Sequence, residues 1–160
     1  MVFSKKRNAR LANVRTGGAG QSTTRDAPDV VDYEALSRFR YELRKFQEFS
    51  KGAAKKAGLT PQQHQALLSI RGFSSRYPVS VGDIAEFLLI RHHTAVELVD
   101  RMTRLGLLSR SVDETDGRRV LVKLTREGES RLRKLSRIHL EELRAIGPTL
   151  TKILKPFRRR

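Results

Sequence analysis

The 160-residue sequence contains no cysteine, no tryptophan and two methionines. The absence of cysteine excludes disulfide bonds, thiolate metal sites and regulation by cysteine oxidation. The chain also lacks the roughly 18 consecutive apolar residues that a transmembrane helix requires, and its basic N-terminus lacks the apolar stretch of a secretory signal. We therefore expect a cytoplasmic protein with no membrane partner.

Residues suited to catalysis or metal binding are also sparse. The sequence has four histidines, and the adjacent pair His92 and His93 would point about 100° apart on a helix, which suits a metal ion poorly. No glycine-rich phosphate loop follows a predicted strand, and no nucleophile elbow is present. The sequence therefore predicts neither an enzyme nor a site for a metal or another cofactor.

Basic residues, in contrast, are abundant. Lysine and arginine together number 33 against 17 acidic residues, which gives a formal net charge of +16 and a pI of about 11.2. A charge of this sign and size favours a polyanionic partner such as nucleic acid. A soluble basic protein with no such partner is the alternative that the charge alone leaves open.

The two ends of the chain carry part of this charge. Residues 1–28 contain six basic residues against the single acid Asp26 and include the run GGAGQSTT. Such a segment buries too little apolar surface to fold, so it predicts a disordered basic tail. This tail is either an arm that contacts DNA or a solvated segment. The arginines at 158–160 form a basic C-terminal tail with the same two interpretations.

The segment from residue 80 to residue 106 has the pattern of two short helices. Ser80 is a favourable N-cap, and Asp83 can complete a capping box with it. Apolar residues recur at helical spacing on both sides of the polar run 91–94, and Gly106 ends the second helix. Two helices with a tight polar junction form a helix-turn-helix, whose second helix is the candidate recognition helix.

A β-hairpin is predicted directly afterwards. Residues 107–109 form a short strand, residues 113–117 are turn formers, and the β-branched segment 120–124 forms the return strand. Thr125 then caps the next helix. This order of elements suits a protein that inserts one helix into a DNA groove and lays a hairpin beside it.

Longer helices are predicted on both sides of this segment. Residues 32–56 carry a near-heptad apolar line, which is typical of a helix that packs on a core or on a partner helix. A second helix begins at Thr60, as its N-cap, and Pro61, as its first residue. Gly72 is predicted to end this helix.

The C-terminal part of the chain is predicted as two helices. Residues 125–145 carry apolar residues at helical spacing, Gly147 and Pro148 break the helix, and a short apolar helix continues to Phe157. The apolar stripes at the two chain ends fit either a core shared by two subunits or the core of a monomer.

Three segments resemble the multiple-antibiotic-resistance regulator (MarR) family of bacterial winged-helix transcription factors. They are LTPQQHQALL at residues 59–68, TAVELVDRMTRLGLLSR at 94–110 and DGRRVLVKLTREG at 116–128. The last segment contains the family's Asp-x-Arg wing motif as Asp116 and Arg118. A helix-turn-helix pattern alone is weakly specific, but these three segments in this order are strongly specific.

The resemblance covers roughly residues 32–154 and implies a mostly α fold with a small β wing. It predicts one winged helix-turn-helix DNA-binding domain at 29–157, with the DNA-binding part at 59–124. The helices at 32–56 and 125–157 are then terminal dimerisation helices, which interlock with the same helices of a second subunit.

The function that the resemblance implies is sequence-specific transcriptional regulation, most simply as a repressor. A homodimer would bind an inverted-repeat operator in double-stranded DNA, and a small aromatic or acidic effector would release it. The effector pocket would lie between the dimerisation helices and the helix-turn-helix. The sequence does not identify the residues that line it. The alternative is an architectural DNA-binding protein without a ligand response, which would use the same scaffold and charge.

Nine residues are predicted to contact DNA or to position those that do. They are Arg91, His92, His93, Thr94, Glu97 and Arg101 on the recognition helix, and Asp116, Arg118 and Arg119 in the wing. Arg91 suits guanine or a phosphate, and Thr94 suits a phosphate or a thymine methyl. Glu97 has three interpretations: it accepts from cytosine N4, it orients Arg101, or it stabilises the helix start.

In the resembled family the wing aspartate holds the turn and the arginine enters the minor groove, and both residues are present here as Asp116 and Arg118. A narrow A·T-rich minor groove attracts a guanidinium. Arg119 is expected on the other side of the wing, towards a phosphate. The alternative is a solvated basic turn whose arginines contribute only charge.

Overall fold

The computed structural model describes residues 33–155, which form five helices and a two-stranded sheet. The elements are α1 (Tyr33–Lys56), α2 (Pro61–Phe73), α3 (Val81–Phe87), α4 (His92–Arg104), β1 (Leu108–Val112), β2 (Val120–Leu124) and α5 (Arg126–Leu154). The predicted tails at 1–28 and 158–160, together with Phe157, lie outside the described residues. None of the five helices has the length and apolarity needed to cross a membrane.

Local hydrogen bonds fix where the short helices begin. The Ser80 hydroxyl accepts from the Asp83 N–H at 3.2 Å, and the Asp83 carboxylate accepts from the Ser80 N–H at 2.7 Å. Thr60 and Gln63 form the same reciprocal pair at the start of α2. The capping box at Ser80 was predicted and is confirmed, and the one at Thr60 adds Gln63 to the predicted N-cap.

The hairpin is anchored through the middle of β2 to the segment before α3. β1 and β2 pair antiparallel, from Leu108 opposite Leu124 to Val112 opposite Val120. β1 extends to Val112, beyond the predicted strand at 107–109, because each of the five residues of β2 pairs with a residue of β1. The Val122 N–H donates to the Val79 carbonyl at 2.8 Å, which ties β2 to the chain before α3.

One apolar core lies beneath the helix-turn-helix and the wing. Its largest buried side chains are Leu67, Ile70, Val79, Ile84, Leu98, Val99, Met102, Leu107, Val122 and Leu135. The first turn of α5 packs against the chain between α4 and β1, where a Cβ on Gly128 would lie 2.2 Å from the Leu107 carbonyl oxygen. Only glycine allows this approach, so Gly128 fixes the position of α5 relative to the core.

The two terminal helices bury little of their apolar surface within the chain. α1 has 24 residues, of which the buried ones are Ala35, Ala53 and Ala54. Large apolar side chains remain exposed on both helices: Tyr33, Leu36, Tyr41 and Leu43 on α1, and Ile138, Leu140, Leu143 and Leu154 on α5. Apolar surface of this extent usually marks an interface with another molecule.

The predicted helix break at Pro148 is wrong. α5 runs without interruption from Arg126 to Leu154 and contains Pro148. A proline inside a helix removes one backbone hydrogen bond and costs about 3 kcal/mol. The turns beyond the proline bring Ile153 into a buried position beside Ala35 of α1, and burial of an isoleucine side chain offsets about 1.5–3 kcal/mol.

The predicted end of α2 at Gly72 is also wrong. The helix continues through Gly72 to Phe73 and is capped at Ser74, whose N–H donates to the Ile70 carbonyl. The ring of Phe73 stacks on Phe87 of α3 with centroids 4.4 Å apart. A glycine costs a helix about 1 kcal/mol relative to alanine, which is less than the burial of an aromatic pair provides.

Candidate nucleic-acid interface

α4 has one buried side and one exposed side. Its buried residues are Ala95, Leu98, Val99 and Met102, whose spacing of three and four places them on one face of the helix. Of the predicted site residues, Arg91, His92, His93, Glu97 and Arg101 are exposed and Thr94 is half-buried. The exposed side of α4 therefore presents basic and acidic side chains, both of which can pair with base edges.

The start of α4 is polar and carries no acidic residue. Arg91 is the N-cap residue, with extended backbone angles and no hydrogen bond from its side chain to the helix. The first turn contains His92 and His93 but no carboxylate. The backbone N–H groups and the partial positive charge at this end are thus available to an anion such as a phosphate.

Glu97 pairs with Arg101 on the exposed side of α4. One carboxylate oxygen of Glu97 lies 3.7 Å from a terminal nitrogen of Arg101. Glu97 lies beyond the first turn of the helix, where the helix dipole has little effect. The geometry favours the interpretation in which Glu97 orients Arg101, and an exposed pair of this kind stabilises the helix by only about 0.3–0.5 kcal/mol.

The tip of the wing holds the Asp-x-Arg pair in one turn. One oxygen of the Asp116 carboxylate accepts from the Arg118 backbone N–H at 3.1 Å and from its Nε at 3.4 Å. The Arg119 N–H donates to the Asp116 carbonyl at 2.8 Å. The Arg118 side chain nevertheless remains 95% exposed, so the guanidinium is tethered at its Nε and open to solvent at its other nitrogens.

Arg119 turns back towards the body of the domain. Its guanidinium lies 3.3 Å from Asp113 and 3.9 Å from Asp83 at the start of α3. Hydrogen bonds from the Thr115 side chain and backbone, together with the Arg119 charge, hold the pKa of Asp113 below its usual value. Arg119 thus ties the wing to α3, whereas the Arg118 side chain is open to solvent.

A cleft of about 380 Å³ separates the wing from α3 and α4. Its lining includes Arg118 and Arg119 from the wing, His92 and Val96 from α4, and Arg110 from β1. His92 is therefore on the flank of α4 that faces the wing. The structure thus brings one recognition-helix residue and two wing residues of the predicted set around the same cleft.

Arg110 was not among the site residues predicted from the sequence. Its guanidinium forms an ion pair with Asp100 of α4, so it links β1 to the recognition helix. No local spacing connects the two residues, because ten positions and the end of a helix separate them. The charge of Arg110, two residues after the apolar start of the strand at Leu108, was the signal that could have marked it.

A buried histidine lies apart from this surface, where α1, α2 and α5 meet. The His64 side chain is 2% exposed, and its ring lies 4.6 Å from that of His139. Burial, with a smaller contribution from His139, lowers the pKa of His64 to about 4. His139 bonds to the Leu135 carbonyl and the Ser50 hydroxyl, and no group of three metal-ligating side chains occurs in residues 33–155.

Residues 57–119 match the model of the MarR family. HTH-type transcriptional regulator PecS from Dickeya dadantii is 30% identical over 88 residues, covering 55% of this chain and 53% of PecS. Transcriptional activatory protein BadR from Rhodopseudomonas palustris is 34% identical over 76 residues, covering 48% of this chain and 43% of BadR. The chain therefore spans about half the length of the curated relatives it matches.

Solved structures share the fold over a larger part of the chain. MepR, described as a transcription regulator of the Staphylococcus aureus multidrug efflux pump MepA, gives a TM-score of 0.64 at 21% identity, covering 80% of this chain and all of MepR. The S. aureus MepR–DNA complex gives a TM-score of 0.59 at 21% identity, covering 82% of this chain. The mostly helical architecture with a two-stranded wing is the winged helix-turn-helix fold, which this chain shares with MepR, and its residues 57–119 are similar to the MarR family.

Proposed function

We propose that this chain is a sequence-specific DNA-binding transcriptional regulator. The observation that carries the proposal is the wing tip, where Asp116 holds a 95% exposed Arg118 guanidinium beside the exposed side of α4. A hairpin tip is narrow enough to enter a minor groove, and a helix fits the major groove. The fold likeness to the MepR–DNA complex supports this arrangement.

In the proposed complex α4 reads bases from its first two turns. Arg91 binds a guanine or a phosphate, and His92, His93 and Thr94 approach base edges or phosphates around the helix start. Arg101, oriented by Glu97 at 3.7 Å, binds a phosphate. Because the pair with Glu97 is weak and exposed, the Arg101 guanidinium can exchange the carboxylate for a phosphate without a large loss of stability.

The wing contacts the adjacent minor groove through Arg118. A guanidinium is weakly hydrated and planar, which suits the negative potential of a narrow A·T-rich groove. The hydrogen bonds from Arg118 to Asp116 restrict the tip before binding, so less conformational entropy is lost on docking. Arg119, held by Asp113 and Asp83, positions the wing relative to α3 and lies close enough to the cleft to meet a phosphate.

We further propose that the working unit is a homodimer on an inverted-repeat operator. The exposed apolar side chains of α1 and α5 supply the interface. In a two-fold dimer each subunit uses the same surface, so α1 and α5 of one subunit would cover α1 and α5 of the other. Each chain contributes one recognition helix, so half-sites about one helical turn apart are expected. The family resemblance adds a repressor role and release by a small aromatic or acidic effector.

An architectural DNA-binding role is the second candidate, because a net charge of +16 alone supports binding to any duplex. The two roles differ in sequence preference. The protein should enrich a defined inverted repeat from a random pool of duplexes if it is a regulator, and should enrich no motif if it is architectural. Footprints on the neighbouring promoter with and without candidate aromatic acids then test the effector response.

A further inference from the structure

Leu89, in the turn between α3 and α4, combines two properties that are unusual for a leucine. Its φ angle is +53°, and it is the one residue other than glycine with a positive φ in the part of the chain that the structure describes. Its side chain is 93% exposed, more than that of any other large apolar residue between positions 33 and 155. The residue is therefore neither relaxed in its backbone nor buried in its side chain.

A glycine would meet the backbone requirement of this turn better. The left-handed conformation brings the Cβ of an L residue close to the following carbonyl oxygen, and glycine has no Cβ. The other two positive φ angles in residues 33–155 belong to Gly58 at +71° and Gly106 at +68°. The turn's own hydrogen bonds are made by backbone groups, such as the Leu89 N–H to the Glu86 carbonyl at 3.1 Å, and would form with glycine as well.

The neighbours of Leu89 show which way its side chain points. Leu88 and Ile90 are partly buried and pack against the core, whereas Leu89 projects into solvent. The next residue after Ile90 is Arg91, the N-cap of α4. The isobutyl group therefore stands on the outer side of the helix-turn-helix junction, immediately before the residues proposed to meet base edges.

We infer that Leu89 is a specificity-determining residue that packs against the C5-methyl group of a thymine in the major groove. The inference rests on the proposed function and extends it. Thymine methyls are the apolar groups that a protein can read in the major groove, and an aliphatic side chain discriminates them by burial. A contact with DNA would bury the Leu89 side chain, and this would explain why a leucine is kept at a position whose backbone favours glycine.

The test compares Leu89→Gly, Leu89→Asn and Leu89→Met on the duplex that the wild-type protein enriches from a random pool. Glycine and asparagine both tolerate the left-handed conformation, so these variants should unfold at the same temperature as wild type or higher. Both should bind the selected duplex about fivefold or more weakly and should bind random duplex unchanged. Methionine keeps an apolar side chain and should retain most of the affinity.

Leu105 offers a matched control. It is a 59% exposed leucine at the other end of α4 with an ordinary φ of −79°. The Leu105→Asn variant should bind the selected duplex with wild-type affinity. Equal losses at Leu89 and Leu105 would mean that exposed apolar surface matters generally, and would overturn the assignment to Leu89.

Uracil-substituted duplexes locate the contact. Replacing one thymine by uracil removes only its methyl group. At one position in each half-site, this replacement should weaken binding by the wild-type protein and leave binding by Leu89→Gly unchanged. If no position behaves in this way, or if Leu89→Gly and Leu89→Asn bind as wild type does, the inference is wrong. Arg118→Ala on the same duplex tests the proposed DNA-binding function separately from the inference about Leu89. This variant should bind the duplex more weakly whether or not Leu89 contacts a thymine.

Discussion

The DNA-binding part and the terminal helices of this chain differ in how completely they are packed. From α2 to the wing, apolar side chains such as Leu67, Ile84 and Leu98 are fully or almost fully buried, and both capping boxes lie in this part. On α1 and α5, residues such as Leu36 and Leu140 remain exposed. The first region closes its core within one chain, whereas the second leaves an apolar surface for which a second subunit is the proposed cover.

The core of the DNA-binding part should respond most strongly to truncation. Leu67→Ala removes a fully buried side chain of α2 and should lower the free energy of unfolding by about 2–5 kcal/mol. Leu68 is the adjacent, half-exposed control, and Leu68→Ala should cost less than about 1 kcal/mol. Urea titrations of both variants measure the difference. Equal losses at the two positions would show that the core does not lie where the burial pattern places it.

The junction between the two regions should make stability depend on pH. Burial lowers the pKa of His64 from its usual value of 6.5 to about 4, so between these two pH values the unfolded chain binds a proton more readily than the folded protein does. Proton binding by His64 in the unfolded chain should therefore lower the free energy of unfolding by roughly 3 kcal/mol as the pH falls from about 6.5 to 4. His64→Leu should remove this loss from pH-dependent urea titrations, whereas His92→Leu, at an exposed position, should retain it.

The terminal helices should show their effect in association rather than in folding. The Leu140 side chain on α5 is about half exposed. Leu140→Ala removes most of this apolar side chain and should weaken the proposed dimer by about 1–2 kcal/mol per subunit. Sedimentation over a range of concentrations should show a wild-type mass of twice 18.2 kDa that dissociates earlier in the variant. Leu89→Ala, which removes an exposed leucine in the turn between α3 and α4, should sediment as wild type. A monomeric wild-type protein that still binds its operator would refute the shared interface.

The smallest effect is expected at the Glu97–Arg101 pair. Both side chains are exposed and their charged atoms are 3.7 Å apart, so Glu97→Ala should change the free energy of unfolding by about 0.5 kcal/mol or less. Its effect on DNA binding is the informative one. If Glu97 only orients Arg101, affinity should stay close to wild type, whereas a marked loss at sites with one particular base pair would point to a contact with cytosine N4.

The features that could be predicted from the sequence are those fixed by nearby residues. The N-caps Ser80, Thr60 and Thr125 and the left-handed Gly106 depend on contacts within four positions, and the structure confirms each of them. The same holds for Asp116 and Arg118, which meet within one turn. Local hydrogen-bonding chemistry is visible in a sequence because both partners stand in one short window.

The features that were missed depend on residues far apart in the chain. Pro148 and Gly72 disfavour helix locally, but packing of Ile153 and Phe73 against other elements keeps both helices intact. Arg119 forms an ion pair with Asp83, which is far from it in the sequence and lies on a different element. No spacing rule brings such residues together, so the role of Arg119 in holding the wing became visible only in the fold.

The most direct test of the proposed function is Arg118→Lys on the selected operator. Lysine keeps the charge but lacks the planar, weakly hydrated guanidinium that suits a narrow minor groove. We expect Arg118→Lys to weaken specific binding nearly as much as Arg118→Ala, by about 1–3 kcal/mol, and to reduce the preference for A·T pairs beside the half-sites. Wild-type affinity and wild-type flank preference in Arg118→Lys would contradict the account and leave the wing as a source of charge alone.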